Sequence, residues 1–102
     1  MKNTVRIYIS ERVQQKLAQK HGVRPDEIRH CFENRDGGFL EDTREEHKTE
    51  PPTQWFIAET NQGRVLKVVF IHEKLLDGQR INIRTTYEPN SAEIAIYNKY
   101  AK

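Results

Sequence analysis

Three runs rich in aromatic and β-branched residues, "QWFIAET" (Gln54–Thr60), "RVLKVVFIHE" (Arg64–Glu73) and "RINIRTTYE" (Arg80–Glu88), are separated only by "NQG" and "KLLDGQ". Connections this short suit antiparallel neighbours, because a parallel pair needs a crossover of a dozen or more residues. The C-terminal half is therefore expected to form a hairpin extended into a three-stranded meander. Alternation assigns its faces: Trp55 with Ile57 against Phe56 with Ala58, and Ile81 with Ile83 against Asn82 with Arg84.

The N-terminal third reads as a strand and two helices. "TVRIYI" alternates Val5, Ile7 and Ile9 with Arg6 and Tyr8, and Ser10 is placed to cap "ERVQQKLAQKH", which Gly22 terminates. In "VRPDEIRHCFENR", Pro25 suits a first helical turn, Asp26 and Glu27 suit the positive end of the dipole, and Ile28, Cys31 and Phe32 share one face. "FLED" reads as a short edge strand. At the other end Asn90 and Glu93 have capping-box spacing for a last helix, with Ile94 and Tyr97 in one stripe and Ile96 and Tyr100 in another. The expectation is an α+β fold: two N-terminal helices packed on a three- to five-stranded antiparallel sheet, with a C-terminal helix. At 102 residues, one domain spanning 1–102 is the natural organisation.

Charge narrows the function classes. The net charge is only +2, basic before residue 41 and after residue 63 and acidic between them, which permits a weak electrostatic hold on nucleic acid but falls short of the excess a duplex binder usually carries. "MKNTVRIYISERV" lacks an apolar core of useful length, so no signal peptide and no membrane span are expected, and the cytoplasm is the expected compartment. Cys31 is the only cysteine, which excludes an internal disulfide and a thiolate zinc cluster. His21, His30, His47 and His72 lack ligand partners at recognisable spacing, and no Gly-rich phosphate cradle occurs, so no metal and no cofactor are expected.

What remains is a set of polar strand residues: Arg64, Lys67, Arg84, Thr86 and Glu88, with Tyr87 beside them. On adjacent antiparallel strands Lys67 and Arg84 are expected to meet on the sheet face away from the helices. Cations there would stabilise a pentacoordinate phosphate, with His47, Tyr87 or Glu88 transferring protons, so RNA cleavage needs no metal. Ordinary solvent-facing strand residues are the competing reading. The charged loop "DTREEHKTEPP" is expected to be a solvated connection stiffened by Pro51 and Pro52, with a gating or partner-binding loop as the alternative.

The order of segments carries a resemblance. "KHGV" (Lys20–Val23) between two short helices, then "CF", "GRVLKVVF" and "INIRTTYEP" leading into a helix with Glu93 and Tyr97, resembles the BrnT-type toxin family and related small domains whose last strand ends in a "TVYEP"-like motif. Both have the wider RelE-like toxin fold. The resemblance spans Ile9 to Tyr97. It implies a metal-independent endoribonuclease toxin neutralised by a small antitoxin protein, and it puts functional groups at Lys20, His21, Arg64, Tyr87 and Glu93. The family usually has an arginine where this chain has Tyr87, and usually opens with a Trp-Asp-Pro segment that is absent here. Arg84 is then expected to replace the missing cation. A non-catalytic protein-binding module of the same fold is the alternative, with Trp55 and the acidic loop as its contact surface; a homo-oligomer stays open.

Overall fold

The computed structural model describes residues 4–42 and 51–102. Within them β1 (Thr4–Tyr8), α1 (Glu11–His21), α2 (Pro25–Asn34), β2 (Leu40–Glu41), β3 (Thr53–Glu59), β4 (Val65–Leu75), β5 (Gly78–Tyr87) and α3 (Ser91–Tyr100) follow in order. The architecture is α+β, with three helices and one five-stranded, mostly antiparallel sheet.

The helix ends form where the capping chemistry predicts. The Ser10 side chain accepts from the Val13 amide at 3.2 Å, and Gly22 closes α1 at φ 61°, where a side chain would be strained. At α3 the Asn90 Oδ1 accepts from the Glu93 amide at 2.8 Å while Glu93 Oε1 accepts from the Asn90 amide at 3.0 Å, a reciprocal capping box.

The strands lie in the order β1-β5-β4-β3-β2. The strands β2 to β5 pair antiparallel in succession, β3–β4 and β4–β5 as their short turns require, but β1 pairs parallel with β5, Thr4 opposite Gly78 and Tyr8 opposite Asn82. The expectation of a wholly antiparallel sheet is corrected at that one edge. The α1–α2 excursion separates β1 from the rest of the sheet and frees it from the alternating direction that tight turns impose.

The sheet has two dissimilar faces. One carries Phe56, Leu66, Val68, Phe70, Ile81 and Ile83, all buried, against Leu17 of α1 and Ile28 and Cys31 of α2. The rings of Phe32 and Phe56 meet edge-on at 4.7 Å, and Phe39 closes on Phe70 at 5.0 Å. The other face carries Trp55 and Ile57, covered by α3 through Tyr97, whose ring lies 5.9 Å from that of Trp55. Tyr97 also donates its hydroxyl to the Gly38 carbonyl at 2.8 Å, tying α3 to the segment before β2.

Of the two expected stripes on α3 only Tyr97 is buried; Ile94, Ile96 and Tyr100 are exposed. The helix meets β3 through the face that carries Tyr97, which leaves the other stripe positions uncovered. Among the described residues no helix is long and apolar enough to cross a membrane.

Candidate functional site

Several of the residues predicted from sequence lie together at the end of the sheet where β4 begins and β5 ends. Lys67 lies opposite Tyr87 on β5 and opposite Ile57 on β3. It is buried under the first turns of α3. Its Nζ is 2.6 Å from Glu93 Oε2, 4.4 Å from the centre of the Trp55 ring and 5.5 Å from that of Tyr87. Tyr87 donates its hydroxyl to the same Glu93 oxygen at 3.1 Å. Four sequence candidates, Trp55, Lys67, Tyr87 and Glu93, thus form one hydrogen-bonded, aromatic-walled cluster.

The electrostatics of this cluster favour the ion pair. Partial burial pushes the Glu93 carboxyl upward, but the Lys67 hydrogen bond, the Asn90 amide, the Lys67 charge and the Tyr87 hydroxyl outweigh it and hold the pKa below the usual glutamate value. Glu93 is therefore an ionised acceptor with both oxygens committed, one to the helix cap and one to Lys67 and Tyr87.

Arg64 has a different task. Its guanidinium donates to the carbonyls of His21 at 2.8 Å and Gly22 at 2.9 Å, the last acceptors of α1, and lies 3.3 Å from both carboxylate oxygens of Glu27. A cation at the negative end of a helix satisfies orphan carbonyls and the dipole together. Glu27 in turn accepts from the Arg24 amide, so Arg64 locks the α1–α2 turn onto the hairpin. Glu88 reaches Arg64 Nε only at 3.8 Å and is mostly exposed. Glu27 is the member of this group that the sequence pattern does not single out as functional; its signal is its position in the first turn of α2.

His21, the last residue of α1, places its ring 5.7 Å from that of Tyr87. The cluster thereby extends from buried Lys67 and partly buried Glu93 through Tyr87 to the half-buried imidazole of His21. Lys20 is exposed in the last turn of α1, beside His21.

Two expectations are corrected. Lys67 and Arg84 do not meet: the β4–β5 register shifts between Val69 and Phe70, whose partners are Thr85 and Ile83, so Arg84 is the unpaired residue of a bulge. Nor is Lys67 a free, solvent-facing cation; α3 covers the face that alternation alone assigns to solvent. His47 and the charged loop residues from Thr43 to Glu50 lie outside the described residues. Among the described residues no group of three or more His, Cys, Asp or Glu is arranged to hold a metal ion.

Cys31, on the helix-covered side, directs its thiol at the Ala58 carbonyl, 3.7 Å away. Burial, helped by the Glu27 charge and only partly opposed by Arg64, pushes its pKa up to about 12, so it is a packed thiol and not a nucleophile.

No protein-family model matches the chain, and a search of curated proteins finds no match either.

Proposed function

We propose that the chain is a metal-independent endoribonuclease of the toxin type its sequence resembles, or a descendant of one, working on RNA in the cytoplasm and restrained by a small antitoxin protein. One observation carries this reading: a half-buried His21 ring against Tyr87, whose hydroxyl shares a carboxylate oxygen with the buried Lys67. Imidazole and phenol side by side supply the acid–base pair that cleavage by the adjacent 2′-hydroxyl requires. The 2′-oxygen attacks phosphorus and its proton passes to His21. The bond from phosphorus to the 5′-oxygen breaks, Tyr87 protonates that oxygen, and a 2′,3′-cyclic phosphate and a 5′-hydroxyl result. Lys67 and Glu93 act here as positioning residues that fix Tyr87, and Arg64 fixes the helix end that presents His21.

The alternative, a non-catalytic protein-binding module, draws on a separate observation. Arg64 and Lys67 are both satisfied internally, while Ile94, Ile96 and Tyr100 of α3 and Val65 of β4 are exposed.

Inducible expression in a bacterial host, with primer extension on cellular RNA, separates the two. The nuclease reading expects growth arrest with discrete cuts, both abolished in His21→Ala and reduced in Tyr87→Phe. Accumulation of folded wild-type protein with intact RNA would overturn it in favour of the module.

A further inference from the structure

A second feature lies along α1 from the His21–Tyr87 contact. β1 stops at Tyr8, opposite Asn82, while β5 runs on to Tyr87, and the first turns of α1 pass over the notch that this length difference leaves. The resulting groove, of about 490 Å³, is lined by Tyr8, Arg12, Lys16, Asn82 and Arg84, together with Ser10 and apolar side chains. Its lining includes three cations and no carboxylate. Another groove of comparable size, beside α3, mixes Asp36 and Glu59 with Lys102.

The three cations are also unneutralised. Arg12, Lys16 and Arg84 are exposed and, like Lys20, Arg29, Arg35, Lys74 and Lys99, belong to none of the ion pairs among the described residues; Arg6, Arg24, Arg64, Lys67, Arg80 and Lys102 each face a carboxylate. Arg12 and Lys16 stand one turn apart on α1, and the β4–β5 bulge frees Arg84 from a cross-strand partner. The Tyr8 ring is half exposed, with the Arg80 guanidinium 5.4 Å from its centre. A half-exposed aromatic ring in a groove lined by unpaired cations is the combination that holds single-stranded nucleic acid, with a base on the ring and phosphates on the cations.

We infer that this groove binds a segment of single-stranded RNA, one unpaired base stacking on Tyr8 and the flanking phosphates contacting Arg12, Lys16 and Arg84. RNA as the ligand rests on the nuclease reading above; the groove itself does not. Lys20, one turn beyond Lys16 on α1, continues the basic line toward His21, so a strand seated here would run to the candidate site. Axial rise along α1 from Arg12 to Lys20 is about 12 Å.

The test is fluorescence anisotropy with a labelled single-stranded oligoribonucleotide of mixed sequence and its duplex, using His21→Ala so that binding is read without cleavage. Single-strand affinity should fall with salt, and the logarithmic slope should shrink by about 2 in Arg12→Gln/Lys16→Gln/Arg84→Gln, at about 0.7 per lost phosphate contact. Tyr8→Ala should weaken binding by roughly 5- to 100-fold at unchanged slope, Tyr8→Phe should bind like the parent, and the duplex should bind more weakly than the single strand. Should the triple variant, folded by circular dichroism, bind with the parent's affinity and slope, the groove is refuted. A Tyr8→Ala variant that binds single strand like the parent refutes the stacked base. If His21→Ala binds as expected while wild-type protein leaves RNA intact, the nuclease reading fails and the groove stands.

Discussion

Replacing Lys67 by methionine keeps most of the side-chain volume and removes only its charge and its hydrogen bond. Lys67 and Glu93 retain 9% and 21% of their side-chain exposure, so they are largely but not wholly desolvated. Breaking a fully buried pair by removing one partner costs about 3–5 kcal/mol, chiefly because an uncompensated charge stays behind. Water reaches Glu93 in part, and its other oxygen keeps the Asn90 amide. A lost charge-assisted hydrogen bond of roughly 1.5–3 kcal/mol and a cation–π contact to Trp55 of about 1 kcal/mol, offset by the better burial of methionine, leave an expected loss of about 2–3 kcal/mol. For a domain of this size that lowers Tm by roughly 8–24 °C.

Lys67→Met/Glu93→Gln removes both charges and should recover to within about 1 kcal/mol of wild type, a coupling of at least about 1 kcal/mol in the double-mutant cycle. Acidity gives a second readout. The Glu93 pKa is held below its ordinary value of 4.5 in the folded state, so the pair stabilises fully above that value and the contribution is lost as pH falls through the folded pKa. Urea titrations across the acid range should show this loss in wild type and a weaker one in Lys67→Met. A single mutant within 0.5 kcal/mol of wild type, on the scale of about 0.5 kcal/mol that marks ordinary surface changes, or an additive cycle, would refute the assignment of Lys67 as a buried, paired cation.

Four further outcomes follow from the packing. Arg64→Met should lower stability by about 1–3 kcal/mol in chemical denaturation, because it strands Glu27 and the α1 carbonyls together. Tyr97→Phe should cost about 0.5–1.5 kcal/mol through loss of the bond to Gly38, whereas Gly37→Ala should be harmful through contact, since an added Cβ would lie 2.7 Å from the Tyr97 hydroxyl. Cys31, its pKa raised to about 12, should resist alkylation by iodoacetamide at neutral pH and react in step with unfolding as urea is added; rapid labelling of native protein would contradict its burial.

Local rules made much of this legible before any coordinates. Ser10, Gly22, Asn90 and Glu93 act through neighbours a few residues away, so their spacing alone predicts where α1 begins and ends and where α3 begins. The meander was equally readable, because its turns leave the chain no room for another connection. Long-range facts were not. Nothing near Thr4–Tyr8 states that its partner is Gly78–Asn82 or that the pairing is parallel. Alternation places Lys67 on a polar face, yet α3 folds back over that face and turns a surface lysine into a buried one. The bulge that carries Arg84 away from Lys67 has no clear sequence mark either, since no glycine or proline stands at Val69–Phe70 or at Ile83–Thr85.

The pairing of the first strand with the last also sets an order in time. On the ribosome β1 emerges before the other strands of this sheet, and its partner β5 follows about 4–15 s later at ordinary elongation rates of about 5–20 residues per second. Through that interval "TVRIY" is an unpaired strand with one apolar side, dependent on the helices behind it for shelter. Among the strand pairings of the sheet, β1 with β5 closes the loop of greatest sequence separation and so carries the largest loop-closure cost.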